Sequence, residues 1–190
     1  MKYFLLIAAI SLTVFAACNS SNNTQSKANN DSTQTKQETP APEAKATTPV
    51  KDILAGYIQL KNALAEDNGN NAAAAGNTMV EAFQKFDKSA LTADQKKVYE
   101  DVEDDAREHA EHIGKNGGNI PHQREHFDML SKDMYELVKT FGADQLLYQD
   151  SCPMYNDNKG ATWLSEVKEI KNPYLGRKMP TCGTIKEELK

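Results

Sequence analysis

The residues best suited to chemistry are sulfur-bearing side chains in two short segments near the C-terminus. They are Cys152, Met154, Met179 and Cys182. Pro153 separates the first two and disfavours helix before it, so both sulfurs should point to one side of an extended chain. Pro180 stands at the second position of a predicted turn, which brings the ends of the second segment within about 7 Å. Two thiols and two thioethers can therefore meet in one small volume.

Such a set of soft ligands suits Cu(I), and a histidine nitrogen can complete it. Zn(II) accepts thiolates and imidazoles but binds thioethers poorly, so the two methionines favour copper, with Zn(II) and Ag(I) as less favoured ions. The alternative is a disulfide between Cys152 and Cys182, closing a loop of about thirty residues, with the methionines as ordinary core residues. The residues alone leave both interpretations open.

All four histidines lie near one predicted connection between helices. His109 and His112 are three residues apart, and His122 and His126 are four apart. Each spacing places two imidazoles on one helix face, and an antiparallel connection sets the two faces side by side. The four rings can therefore form one patch, although a surface or capping role is the alternative. We take His112 and His126 as the candidate metal ligands.

Apolar periodicity predicts the helices that position these residues. The first carries a stripe of Ile53, Tyr57, Leu60 and Leu64, and the others span about 72–87, 92–115 and 121–141. Thr92 and Gln95 have the pattern of a capping box at the start of the third helix. The stripe of that helix is Val98, Val102, Ala106, His109 and Ile113. Short connections predict an all-α fold, an antiparallel four-helix bundle, followed by an irregular C-terminal region with a short helix from Thr184.

Charge and motif content exclude several function classes. The net charge of −5 argues against nucleic acid as a partner. The carboxylates between Glu100 and Glu111 offer a hard-cation site, but their spacing gathers none of them, so a solvated helix face is favoured. The chain has no Ser/His/Asp order and no glycine-rich phosphate loop, and Pro153 leaves Cys152 without a helix N-terminus to activate it. We therefore expect that the protein has no catalytic residues and is not an enzyme.

The N-terminus predicts a membrane anchor. Residues 1–17 resemble a signal peptide, and the end of that run, Phe15 to Cys18, resembles the lipobox of bacterial lipoproteins, with lipid on Cys18. The alternative is ordinary cleavage after Ala17. Asn19 is not the aspartate that retains lipoproteins at the inner membrane, so an outer-membrane anchor facing the periplasm is expected. Residues 18–49 are polar and predict a disordered tether, and residues 50–190 predict one folded domain.

Several strings occur in an order that resembles a known family. They are IPHQREHFDMLS, LVKTFG, CPMYNDNKGATWLS, IKNPYLGRKM and TCG. Between about residues 50 and 188 the chain resembles an uncharacterised domain family of Gram-negative periplasmic proteins. That family occurs as free-standing lipoproteins and as a domain appended to adaptor subunits of heavy-metal efflux pumps. The chain lacks the coiled coil and the barrel of those adaptors.

The resemblance implies an α-helical domain associated with copper or silver handling, with the two cysteines and two methionines as the residues that matter. The expected function is a lipid-anchored cell-envelope protein that binds a soft metal ion, most favourably Cu(I). It would sequester the ion or transfer it to an efflux adaptor or another metal-handling protein of the envelope. The alternative is a disulfide-stapled interaction module without metal.

Overall fold

The computed structural model describes residues 48–190. Four long helices confirm the helical prediction: α1 (Lys51–Ala65), α2 (Gly69–Lys85), α3 (Ala93–Lys115) and α4 (Ile120–Phe141). Consecutive helices pack against each other. None of the helices in this part of the chain is long and apolar enough to cross a membrane. The predicted signal peptide, the lipid site at Cys18 and most of the tether lie outside the described residues.

Local hydrogen bonds set where the helices begin and end. The Thr92 hydroxyl accepts from the backbone N–H of Gln95 at 3.3 Å, and the Gln95 side chain accepts from the Thr92 N–H at 3.1 Å. The predicted capping box of α3 is therefore confirmed. The Asn119 side chain accepts from the N–H of His122 and starts α4, and Gly142, at φ 73°, ends it.

Apolar stripes face a common core, but the stripe of α3 is rotated from the predicted one. The predicted residues of α1 are all buried, whereas α3 buries Tyr99, Ala106, Ala110 and Ile113. Tyr99 stacks on Phe86 with ring centroids 4.0 Å apart and meets the edge of Phe141. An aromatic ring buries more apolar area than a valine, so Val98 and Val102 remain only partly buried.

The all-α prediction is wrong for the C-terminal part, which contains a three-stranded antiparallel sheet of order β2-β1-β3. The strands are β1 (Leu147–Cys152), β2 (Ala161–Ser165) and β3 (Thr184–Leu189). A single helical turn, α5 (Tyr155–Asn158), lies between the first two, and short 3-10 turns occupy Lys88–Ala90 and Gly176–Lys178. The segment predicted as a helix from Thr184 is β3, which pairs with β1 and is rich in charged residues with weak strand preference.

Buried polar groups join the sheet to the helices. The Tyr57 hydroxyl of α1 lies 2.8 Å from the Ser131 hydroxyl of α4 and accepts from the N–H of Leu164 in β2 at 3.0 Å. Lys61, which is fully buried, donates to Glu166 just after β2 at 2.7 Å. These contacts fix the sheet against α1 and α4, and with it the strand that carries Cys152.

Close packing of α2 on α3 depends on Gly76. A Cβ atom at this position would lie 2.7 Å from the carbonyl oxygen of Ala110 and 3.0 Å from the backbone N of Gly114. We expect Gly76→Ala to lower the unfolding free energy by about 1–2 kcal/mol, because the two backbones must separate and the gain in helix propensity offsets only part of that cost. Urea denaturation measures the change.

Gly118→Ala is the matched control. A Cβ atom at Gly118 would have no neighbour within 4 Å, so its effect should stay within about 0.5 kcal/mol. Equal stability of the two variants would contradict the proposed close contact.

Candidate metal centre

The histidine cluster, defined as His109, His112, His122 and His126, forms at the connection between α3 and α4. The first two residues lie in the last turns of α3, and the other two lie in the first turns of α4. The connection at Asn116–Asn119 is short, so the antiparallel helices bring these turns side by side. The predicted patch of four rings is therefore confirmed.

His126 lies at the centre of the cluster. Its ring centroid is 4.3 Å from that of His112, 4.6 Å from that of His122 and 5.3 Å from that of His109. Its Nδ1 lies 3.1 Å from the Nδ1 of His109, which is hydrogen-bonding distance. While Nδ1 is engaged by His109, Nε2 is the nitrogen of His126 that is left for an ion.

Three of these rings have the spacing of a metal site. One nitrogen each from His112, His122 and His126 lies within 4.8 Å of the other two. An ion with bonds of about 2.0 Å holds its imidazole nitrogens about 3.3 Å apart in tetrahedral geometry. Small rotations of exposed or half-buried rings cover that difference. The three residues therefore suit a metal ion, with His109 placed to orient His126.

Burial and mutual repulsion keep the central imidazole neutral. Burial lowers the pKa of His126 to about 4, and the neighbouring histidines add to that shift. Burial also lowers the pKa of His109, against the opposing effect of Asp105 and Glu108. A metal ion binds the neutral imidazole. At neutral pH an ion therefore displaces no proton from His126.

Two carboxylates beside the histidine cluster give it a negatively charged environment. A Glu108 oxygen lies 3.7 Å from Nε2 of His112, and a Glu125 oxygen lies 3.6 Å from Nδ1 of His122. The side chains of His112 and His122 are 45% and 33% exposed. A cation can therefore reach the cluster from solvent and is attracted to it.

Buried hydrogen bonds hold the two helix ends in register. The side-chain amide of Gln123, fully buried, donates to the carbonyl oxygens of Gly69 at 3.0 Å and Ile113 at 3.1 Å. The Asn116 amide donates to the carbonyl oxygen of His112 at 2.8 Å. The backbone beneath the cluster is therefore positioned without an ion.

The carboxylate run of α3 behaves as a solvated face. Its members pair within the helix, for example Lys97 with Asp101 and Arg107 with Glu111. Among residues 48–190 no group of three acidic side chains has the spacing of a cation site. Five of the seven carboxylates between Glu100 and Glu111 are exposed, which confirms the predicted solvated face.

The two cysteines lie in contact at one end of the sheet, where the central strand β1 ends. Cys152 ends β1 and is buried, and Cys182 precedes β3 and is half-buried. Their Sγ atoms are 2.6 Å apart. We call them the thiol pair. The sequence prediction that these two residues converge is confirmed.

Met179 lies at the start of the turn that carries Cys182. Its carbonyl oxygen accepts from the Cys182 N–H at 3.2 Å, which confirms the predicted turn. The Met154 residue is 50% exposed, so a large part of its side chain faces solvent.

The thiols and the imidazoles form two separate groups in the described part of the chain. No set of three close ligand atoms from histidine, cysteine or carboxylate residues includes a thiol. His112 and His126, predicted to complete a sulfur site, instead join His122. The ligand roles of Cys152, Met154, Met179 and Cys182 stay predictions.

His122 and His109 are the residues of the centre that the sequence analysis placed in the patch but did not choose as candidate ligands. Their signal was present in the spacing of three and four residues from His112 and His126. Spacing alone does not tell which rings converge, because that depends on how the two helices are rotated about their axes.

Comparison with known proteins gives one match. Residues 53–146 match a family described as "Protein of unknown function (DUF3347)". The comparisons with curated proteins and with solved structures give no match. The matched range contains all of α1 except its first two residues, all of α2 to α4 and all four histidines, and it ends before β1 and the thiol pair. A DUF3347 domain of unknown function therefore covers the four-helix part of the chain, residues 53–146.

Proposed function

We propose that this protein binds a copper ion at the histidine cluster. The observation that supports the proposal best is the convergence of nitrogens from His112, His122 and His126 within 4.8 Å of one another. Three imidazoles on rigid helices, largely neutral at the centre and open to solvent, suit an ion that is captured and released. A purely structural ion is usually enclosed by four protein ligands.

Copper is favoured over other ions by chemistry and by family resemblance. Imidazole binds zinc, copper, nickel and iron, and among divalent ions of the first transition row Cu(II) is bound most tightly. The resemblance described above implies copper or silver handling. Cu(I) is the expected cargo, and Ag(I) and Zn(II) are the competing ions.

The proposed setting is the cell envelope. Cys18 would carry lipid that anchors the protein in the outer membrane of a Gram-negative bacterium, facing the periplasm. The polar segment before residue 50 would give the domain reach, so that it sequesters copper or transfers it to an efflux adaptor or a similar protein. Partial exposure of His112 and His122 leaves the ion accessible to such a partner.

A different observation supports a second candidate function. The 2.6 Å contact between the Sγ atoms of Cys152 and Cys182 also suits a disulfide that staples the sheet. The protein would then be an interaction module of the envelope, without metal. The two proposals differ at the histidine cluster, which the second leaves without a role.

Copper titration of a cysteine-free chain separates the two functions. We would replace Cys18, Cys152 and Cys182 by serine in the full chain, so that only imidazoles and thioethers remain as soft ligands. Anaerobic titration with Cu(I) against a chromogenic chelator should then give about one ion per chain. Cu(II) added to the same protein should give an electron paramagnetic resonance spectrum with nitrogen hyperfine splitting.

A stoichiometry below about 0.1 ion per chain, in protein with wild-type circular dichroism, would refute copper binding at the cluster. If each chain bound one Zn(II) and no Cu(I), the histidine cluster would still be the metal site, but copper would be refuted as its ion.

A further inference from the structure

The thiol pair is held together by backbone contacts that do not require a covalent link. Asn172, fully buried, donates from its side chain to the Cys182 carbonyl at 2.6 Å and from its backbone to the Pro180 carbonyl at 2.9 Å. Its side-chain oxygen accepts from the N–H groups of Tyr174 and Leu175. The loop that carries Cys182 therefore has its own fixed position.

The partner thiol is fixed by the sheet. Cys152 is the last residue of β1 and pairs with Ala161 of β2. Since each cysteine is positioned independently, the two sulfurs should remain adjacent whether or not they are bonded. The 2.6 Å separation is about half an ångström longer than a disulfide bond and about one ångström shorter than a non-bonded contact of two sulfur atoms, so a small shift in either direction reaches either state. The same fold can therefore hold both oxidation states.

The two thiols differ in access. Cys152 is buried and Cys182 is half-buried. The hydrogen bond with Cys152 and burial raise the pKa of Cys182, so access rather than thiolate formation decides which sulfur reacts first. An oxidant in solution therefore meets Cys182 first, and the adjacent Cys152 completes the reaction.

From this geometry we propose that the thiol pair reduces Cu(II) to Cu(I), which supplies the ion that the histidine cluster binds. Two Cu(II) ions each accept one electron, the two S–H groups release two protons to solvent, and one S–S bond forms between Cys152 and Cys182. The inference rests on the proposed function for the identity of the metal. It assigns the sulfur residues an electron-donating role.

Reduction fits the local geometry better than permanent chelation by the thiols. No third histidine, cysteine or carboxylate of the described chain stands ready beside them to complete a ligand set. The sulfur atoms are already in contact, which favours S–S bond formation over an ion between them. A disulfide lacks the thiolates that bind metals, so the product Cu(I) leaves the pair and becomes available to imidazoles.

The test uses full-length protein with Cys18→Ser, so that the thiol pair is the only source of thiols. Reduced protein is mixed anaerobically with excess Cu(II) and the Cu(I) chelator bathocuproine disulfonate. We expect about two Cu(I) per chain and a mass decrease of about 2 Da in monomeric protein, from loss of two hydrogens. Cys152→Ser and Cys182→Ser, each in the same background, should yield at most about one Cu(I) per chain, together with disulfide-linked dimers.

Failure of this inference can be distinguished from failure of the proposed function. This test counts the Cu(I) that the thiols deliver to the chelator, whereas Cu(I) binding to the cysteine-free chain tests the histidine cluster alone. An unchanged mass with both thiols still open to alkylation would overturn the inference, whatever the histidines bind. Monomeric single-cysteine variants that also yield two Cu(I) per chain would overturn it as well.

Discussion

Replacement of His126 by alanine should lower the affinity of the protein for Cu(I) by about a hundredfold or more. His126 is the one ring that contacts the other three, so its removal takes away a ligand and also the hydrogen-bond partner of His109. Loss of a residue that only orients a ligand already costs about 10–100-fold in affinity. Competition with a chromogenic Cu(I) chelator, in the cysteine-free chain, measures the change.

Glu136→Ala serves as the matched control for this experiment. Glu136 is an exposed residue of the same helix, more than two turns beyond the cluster. Its replacement should change the Cu(I) affinity by less than twofold. Wild-type affinity in His126→Ala would place the copper elsewhere on the chain and contradict the proposed site.

Replacement of Asp150 by asparagine should remove much of the pH dependence of folding stability near neutrality. Asp150 lies in β1, is fully buried, and neither carboxylate oxygen has a hydrogen-bond partner within residues 48–190. Burial raises its pKa from 3.8 to about 7, and the charge of Lys61 opposes the rise. The folded protein therefore binds a proton at Asp150 that the unfolded chain releases above pH 4.

The sign of the effect follows from proton linkage. Because the folded state holds more protons than the unfolded state between about pH 4 and pH 7, stability falls as the pH rises through that range. Each pH unit between the two pKa values corresponds to about 1.4 kcal/mol, so the unfolding free energy should fall by up to roughly 4 kcal/mol. Asparagine has no such charge to bury, and its variant should be more stable than wild type at pH 8.

Urea unfolding at pH 5, 6, 7 and 8 measures this difference. Glu169→Gln is the control, because Glu169 is exposed after β2 and should leave the pH profile of wild type intact. If Asp150→Asn keeps the wild-type slope between pH 5 and pH 7, the carboxyl of Asp150 is not the group that titrates there.

Local signals explain which parts of the fold could be predicted. The start of α3 rests on Thr92 and Gln95, which are three residues apart, and the stripe of α1 repeats within single turns. The sheet depends on pairing between β1 and β3, which are separated by more than thirty residues, so no local pattern specifies it. Positions along β3 alternate in exposure, but its side chains are mostly charged, so the sequence shows no alternation of apolar and polar residues.

The thiol pair and the histidine cluster likewise have some features that local sequence predicts and others that it does not. Pro153 and Pro180 predicted bends near the two cysteines, and the structure confirms that the thiols meet. The directions of the thioethers depend on side-chain torsions, which the residue order does not encode. The separation of thiols from imidazoles follows from how the sheet docks on α1 and α4, and that docking is set by buried contacts such as Tyr57 with Ser131.

The Nδ1 contact between His109 and His126 makes the two rings choose complementary tautomers, since only one of the facing nitrogens can carry the hydrogen. An ion on Nε2 of His126 forces that ring to keep its hydrogen on Nδ1, and His109 must then place its own on Nε2. The arrival of metal at one imidazole thus sets the proton position on a neighbour that does not touch the metal.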